Sequence, residues 1–136
     1  MIASTTTAVE FECEYHEWTG WNFGCLLKKG TINDSKEATV TSIAGEYPED
    51  KNNGNVVWIS IDSLVMEYFP RNLGHFFPNL STIYLAKSHL KEIRTGDFVS
   101  LEKLKNLFLD SNEISKVDVK AFDTLPKLRS LSFDYN

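Results

Sequence analysis

The sequence predicts an α/β solenoid, with a parallel β-sheet on its concave face and loops or short helical turns on its convex face. Two observations predict this fold. Segments of the second half repeat every 24 residues, and an aromatic stretch near the N-terminus holds both cysteines. We expect one continuous domain, with a capping region over 1–55 and about three and a half repeats over 56–136, the last of them truncated.

The repeat appears when the chain is shifted against itself by 24 residues. LSTIYLAKSHLKEI at Leu80 then aligns with LKNLFLDSNEISKV at Leu104 and LRSLSFDYN at Leu128. An earlier, degenerate unit starts at Val56 and has Gly74 where the two following units have phenylalanine. In L-x-x-L-x-L, alternate side chains of a short strand point into one core. Because a lone unit cannot bury that face, neighbouring units must stack.

Each repeat has one position, after its strand, where an asparagine is expected. Asn112 and Asn136 occupy it, and Ser88 replaces it in one unit. The asparagine amide can satisfy backbone groups of its own turn and of the adjacent repeat, so we expect the turn at Ser88 to be held less firmly.

Residues 56–136 resemble the typical 24-residue class of leucine-rich repeats found in Toll-like receptors and in many secreted insect proteins. The strings FFPNLSTIYLAKSHLKEIRTGDFVSLEKLKNLFLDSNEISKV and AFDTLPKLRSLSFDYN carry this resemblance. The phrasing of FFPNLSTI and the N-terminal cysteine segment are most similar to dipteran extracellular repeat proteins. The resemblance implies a curved solenoid whose concave face binds partner proteins outside the cell. It also suggests a role in innate immunity or host contact.

The N-terminal segment VEFECEYHEWTGWNFGCLL contains Cys13 and Cys25, with Trp18, Trp21 and Phe23 between them. The first repeat of a solenoid exposes an apolar end, which a capping element must cover. Together with the resemblance, this favours a β-hairpin closed by a disulfide, worth roughly 3 kcal/mol in the chain-entropy model. The alternative is a pair of buried free thiols in a cytosolic protein. MIASTTTAVEFE does not resemble a signal peptide. The predicted location is extracellular, with no signal peptide present in this chain.

The strand positions between the core-pointing residues are the candidate binding surface. Aromatic side chains there could form a stripe with an acidic rim, as protein-binding patches require. The predicted partner-binding residues are Trp58, Ser60, Asp62, Thr82, Tyr84, Asn106, Phe108, Asp110 and Asp134. One alternative is that the aromatic residues only stabilise the sheet, and another is that Trp58 packs beneath the cap. The recurring aspartates could hold Ca²⁺ weakly, although a solvated acidic face is favoured.

The last repeat stops at Asn136, directly after its strand. Its apolar side chains would lack a covering neighbour, and its strand would have an unpaired edge. The predicted self-association residues are Leu128, Leu131, Phe133 and Tyr135. We expect either a homodimer through this end or a fragment of a longer repeat protein.

Other function classes receive little support. The net charge of −5 argues against nucleic acid and anionic membranes, and no apolar run is long enough to insert into a membrane. No histidine is predicted beside a nucleophile and an orienting carboxylate, so we expect neither an enzyme nor a cofactor or metal. Asn33 and Asn79 start N-x-S tripeptides and are glycosylation candidates.

The predicted function is therefore an extracellular protein-binding recognition module, whose ligand the sequence does not identify. The alternative is a structural unit that self-assembles through its last repeat.

Overall fold

The computed structural model describes residues 7–18, 22–33, 36 and 38–136. Its main feature is a seven-stranded sheet in the order β3-β1-β2-β4-β5-β7-β9. These strands are β1 (Thr7–Trp18), β2 (Asn22–Lys29), β3 (Ala38–Ala44), β4 (Val56–Asp62), β5 (Thr82–Ala86), β7 (Asn106–Phe108) and β9 (Ser130–Ser132). A second, two-stranded sheet pairs β6 (Glu92–Ile93) with β8 (Lys116–Val117). The helical segments are α1 (Leu73–Phe76) and the 3-10 helices Asn53–Asn55 and Val119–Thr124.

The N-terminal strands form the cap. β1 and β2 are an antiparallel hairpin, and the predicted disulfide between Cys13 and Cys25 is present, with a Cα–Cα distance of 5.3 Å. β3 runs parallel to β1, and β2 runs parallel to β4, the first strand of the repeats. The hairpin is therefore continuous with the repeat sheet. Trp21 lies outside the described residues.

The repeat strands β4, β5, β7 and β9 are all parallel, as the 24-residue pattern predicts. Their register aligns Ile59, Ile83, Leu107 and Leu131 in one row across the sheet. The first three of these side chains are fully buried in the core. Each strand therefore shares one apolar layer with its neighbours, which is why no repeat could bury its core face alone.

The backbone repeats with the same period as the side chains. Ser63, Lys87, Ser111 and Tyr135 each follow a repeat strand at intervals of 24 residues, and each has a positive φ between 51° and 60°. This left-handed conformation is uncommon for residues other than glycine. Its recurrence at Ser63 shows that the degenerate first unit turns in the same way as the later ones.

Phenylalanine side chains form a second row through the core. Phe98 and Phe122 lie in contact at a centroid distance of 5.5 Å, and Phe69 meets Phe98 edge-on at 4.8 Å. In the degenerate unit, Phe69 therefore extends the row that Gly74 cannot continue. Gly74 instead packs against backbone, because a Cβ there would lie 2.0 Å from the carbonyl oxygen of Ser100.

Asn112 ties two repeats together through its buried amide. Its Oδ1 accepts hydrogen bonds from the backbone N–H groups of Ser88 and Leu90, at 2.9 and 3.3 Å. Its Nδ2 donates to the carbonyls of Leu85 and Leu109, at 2.7 and 3.1 Å. These are the backbone groups that an asparagine was expected to satisfy at this position.

The other two residues at this position behave differently from each other. Asn136 repeats the pattern, since its Nδ2 donates to the carbonyl of Leu109 and its Oδ1 accepts from the N–H of Ile114. Ser88, although fully buried, donates its hydroxyl to the carbonyl of Ala86 within its own unit. The shorter serine side chain thus makes a local bond where asparagine reaches the preceding repeat.

Asn112→Ala should lower the free energy of unfolding by about 1–3 kcal/mol, because buried backbone donors and acceptors lose their partners. Chemical denaturation followed by circular dichroism measures the change. Asn106→Ala is the matched control, because the half-buried Asn106 amide bonds only the hydroxyl of Thr82 within the described residues. Equal losses in the two variants would contradict the special role of Asn112.

Candidate protein-binding surface

The surface of interest is the face of the large sheet opposite the hydrophobic core, which we call the outer face. Side chains alternate along each strand, and Ile59, Ile83 and Leu107 point into the core. Three alternate positions in each repeat, spaced two residues apart along the strand and its immediate continuation, are outer positions. They are Trp58, Ser60, Asp62, Thr82, Tyr84, Ala86, Asn106, Phe108, Asp110, Ser130, Ser132 and Asp134. The structure thus brings all the predicted partner-binding residues to one face.

Tyr84 and Phe108 form a stacked pair on neighbouring strands. Their ring centroids lie 5.0 Å apart, with an angle of 19° between the planes. Such cross-strand pairs contribute roughly 0.2–1 kcal/mol to sheet stability, so the contact has a structural role. Tyr84 nevertheless remains 43% exposed, which leaves a large aromatic surface in contact with solvent.

Trp58 does not belong to the exposed part of this face. Only 5% of its surface is accessible, because the ring of Trp18 stacks on it at a centroid distance of 4.8 Å. Its indole Nε1 donates to the carbonyl of Asn22 at 3.2 Å. The prediction that Trp58 is an exposed member of the aromatic stripe is therefore wrong, and Trp58 packs beneath the cap.

Trp18 takes the exposed place instead, with 57% of its surface accessible. It is the residue of this face that sequence reasoning missed as a binding candidate, since it lies in the cap and outside the repeats. Gly24 is the feature of the sequence that could have indicated a bulky ring packed against the cap at this point. A glycine within a strand often marks a close approach, and a Cβ on Gly24 would lie 2.0 Å from the Trp58 ring.

A shallow pocket of about 360 Å³ opens on the outer face where the cap meets the first repeats. It is lined by Trp18, Trp58, Ser60, Ile61, Asp62, Tyr84 and Ala86. The lining combines aromatic rings, small side chains and one carboxylate.

Two of the three predicted aspartates, Asp110 and Asp62, have different environments. Asp110 is engaged within the repeats, because its Oδ1 accepts from the hydroxyl of Ser132 and from the backbone N–H of Asp134. Asp62 is exposed, and its Oδ2 accepts from the hydroxyl of Ser63 at 3.0 Å. Among the described residues, no group of three or more metal-ligating side chains is placed to hold an ion.

Charged residues of the cap flank the same face. Glu14 pairs with His16 at 2.7 Å and with Lys28 at 3.4 Å. The hydrogen bond from His16, followed by that from Lys28, holds the pKa of Glu14 below its usual range. The positive charge of Lys28 is thus directed toward Glu14.

The predicted self-association residues differ in exposure. Leu131 is 42% and Tyr135 is 88% exposed, whereas Leu128 and Phe133 are half-buried against the core. Phe133 meets Phe122 edge-on at 6.4 Å. Only Leu131 and Tyr135, of these four, offer a large exposed surface.

The two glycosylation candidates also differ. Asn33 is exposed, while the rest of its tripeptide lies outside the described residues. Asn79 is half-buried, and its Nδ2 donates to the carbonyl of Gly54 at 2.8 Å. A glycan on that nitrogen would leave it one N–H and would have to fit beside Gly54, so the exposed Asn33 is the better candidate.

The three histidines lie apart along the chain. His16 pairs with Glu14, His89 pairs with Glu113 at 2.8 Å, and the ring of His75 packs against Phe76. In these described contacts, no histidine meets a serine or threonine hydroxyl. Within the same part of the chain, no helix has the length and apolar character needed to cross a membrane.

The fold and this face together define a repeat solenoid closed by a disulfide-bonded hairpin. More particularly, residues 78–136 match the family model described as leucine rich repeat. The second half of this chain therefore consists of leucine-rich repeats.

Individual proteins show the same similarity. The chain is 40% identical over 62 residues to epiphycan of Homo sapiens, which covers 46% of this chain and 17% of that protein. It is 43% identical over 54 residues to opticin of Bos taurus, covering 40% of this chain and 17% of that protein. Toll-like receptor 10 of Bos taurus is 31% identical over 98 residues, covering 72% of this chain and 11% of the receptor. The chain thus spans less than a fifth of the length of these relatives. No solved structure gives a significant match.

Gly24→Ala should lower the free energy of unfolding by about 1–3 kcal/mol, because the added Cβ collides with the Trp58 ring. The collision should disappear when the ring is removed. Gly24→Ala introduced into a Trp58→Ala background should therefore cost much less than in the natural chain, as measured by denaturant unfolding of all four proteins. Equal costs in both backgrounds would show that the ring does not lie over Gly24.

Proposed function

We propose that this chain is an extracellular protein-binding module and that its partner contacts the cap-proximal part of the outer face. The observation that carries the proposal is the exposure of two large aromatic side chains, Trp18 and Tyr84, beside a pocket on that face. Aromatic anchors near the centre of a contact supply much of the binding energy in protein interfaces. Serine, threonine and asparagine side chains around them provide the polar rim.

The extracellular assignment rests on the disulfide and on the similarity to a receptor. A disulfide such as Cys13–Cys25 persists in oxidising compartments and is rare in the cytosol. Of the three relatives named above, the Toll-like receptor aligns over the most residues of this chain. This similarity supports a recognition role of the receptor type, including one in innate immunity. The proposed function involves no catalytic step.

On this proposal, the strand face is the concave side of the solenoid, and the turns with the small sheet of β6 and β8 form its convex side. A concave sheet presents side chains from several strands to one partner. The anchors Trp18 and Tyr84 lie near the cap, and the polar positions Thr82 and Asn106 lie beside them.

Tyr84→Glu tests the proposal. It should weaken partner binding by at least tenfold, because truncating or charging an interface anchor costs about 2 kcal/mol or more. Binding partners are first identified by screening the natural chain against a panel of purified extracellular domains, and affinities are then measured by surface plasmon resonance.

Val99→Glu is the matched control for this substitution. Val99 is 54% exposed and lies in the turn segment, away from the large sheet. It should leave partner binding unchanged. A partner that binds Tyr84→Glu as tightly as the natural chain, but loses affinity for Val99→Glu, would place the contact elsewhere.

The edge of β9 supports a second candidate function, self-association. β9 is the last strand of the large sheet, and the side chain of Leu131 in it is 42% exposed. An exposed strand edge with apolar side chains is a template for pairing with another chain. A second copy of this chain would present the same patch, giving a two-fold symmetric dimer.

Light scattering at tens of micromolar tests the second candidate. The natural chain should be a dimer and Leu131→Asp a monomer, since a charge at the edge opposes pairing. Val99→Asp should remain a dimer. A monodisperse monomer of the natural chain would contradict self-association without bearing on the outer face.

A further inference from the structure

We infer that the pocket on the outer face takes the guanidinium group of an arginine side chain presented by the partner protein. This inference rests on the proposed function, because it names the chemistry of a contact on the same surface.

The walls of the pocket offer aromatic surface. One face of the Tyr84 ring is covered by Phe108, so its other face is turned toward Ser60, its partner on β4. Trp18 stands across the pocket and is more than half exposed. Ser60 and Ala86 are small, which leaves room between the rings. A flat cation stacks well on such surfaces, with a contribution of about 0.5–1 kcal/mol at exposed sites.

The carboxylate of Asp62 lines the same pocket and has no cationic partner. Its only bond among the described residues is with the hydroxyl of Ser63, and no lysine or arginine nitrogen there lies within 4.0 Å of it. Lys28 lines an adjacent depression with Asp62 but pairs with Glu14. Asp62 is therefore available to a group that enters from solvent.

The charge of the surrounding face favours a cation. The twelve outer positions named above include Asp62, Asp110 and Asp134 but neither lysine nor arginine. A guanidinium can stack on an aromatic ring and donate to a carboxylate at once, whereas a lysine ammonium acts as a point charge. The volume of about 360 Å³ is suited to one long side chain and not to a folded element.

The chain already uses this combination internally. The guanidinium of Arg94 lies over the ring of Tyr68, with its central carbon 4.9 Å from the centroid. The same guanidinium pairs with the buried carboxylate of Asp97 at 3.2 Å. Ring and carboxylate together thus hold one arginine in place, and the outer pocket presents the same two groups without the arginine.

The test titrates the natural chain with the tripeptide Gly-Arg-Gly and, separately, with Gly-citrulline-Gly. Citrulline keeps the planar shape of the arginine head but carries no charge. Binding is followed by NMR through the indole N–H signal of Trp18 and the ring signals of Tyr84. Gly-Arg-Gly should shift both residues in a saturable way, and the citrulline peptide should bind at least three times more weakly.

Two variants locate the carboxylate. Asp62→Asn should weaken Gly-Arg-Gly binding by about three- to fivefold, which is the upper part of the range for exposed ion pairs. Asp134→Asn is the matched control, because it removes one negative charge from the same face three strands away from Asp62. Binding should stay close to that of the natural chain.

Three results would overturn the inference. Absence of saturable shifts shows that the pocket does not take arginine, and equal binding of the citrulline peptide shows that charge plays no part. Equal weakening by Asp62→Asn and Asp134→Asn shows general attraction to an acidic face and no built site. The proposed function is judged separately, by partner binding to Tyr84→Glu, so either can fail while the other stands.

Discussion

The junction between β2 and β4 is the contact on which the rest of the molecule depends. On one side of it lies an antiparallel hairpin, and on the other a stack of parallel strands from successive similar repeats. The register pairs Phe23 with Val56 and Cys25 with Ile59, and all four side chains are buried. Without β2, the edge of β4 and the end of the repeat core would face water, with the loss of apolar burial that this entails. The disulfide fixes the hairpin that supplies this covering strand.

The same junction also builds the candidate site. Gly24 leaves room on the outer face for the Trp58 ring, and Trp58 in turn supports Trp18. The pocket then forms between this stacked pair and Tyr84 of the next repeat. The cap is therefore part of the outer face and does more than protect the core. Covering the end of a solenoid and presenting an aromatic surface are here properties of the same few residues.

The sequence predicted those parts of the structure that follow from the repeat itself. The strand positions, the parallel register and the bonds of Asn112 depend on local periodicity. The sequence shows this periodicity in three aligned segments. The burial of Trp58 depends on the register between the hairpin and the first repeat. That pairing occurs once in the chain, so the 24-residue repeat pattern does not predict it. Phe69 fills the place of the phenylalanine missing at Gly74, and this depends on how an irregular turn folds back. Contacts of this kind, between elements that do not share the repeat, are visible only in the three-dimensional structure.

The outer face is not uniform along the stack, and this concentrates its binding chemistry near the cap. The Asn106 amide on β7 donates to the hydroxyl of Thr82 on β5. Farther along, the Asp110 carboxylate accepts from the hydroxyl of Ser132 and from the backbone N–H of Asp134. Those polar groups are largely committed to holding adjacent strands together. At the cap-proximal end, Asp62 lies beside exposed aromatic rings and bonds only a neighbouring serine hydroxyl within the described residues. Groups that are already bonded within the protein offer few free donors or acceptors to a partner. The Asp62 carboxylate has no protein cation, so it can exchange water for a cationic donor when a partner arrives. A partner should therefore be selected at the cap and the first two repeat strands, with the remaining strands acting as the support that holds them in register.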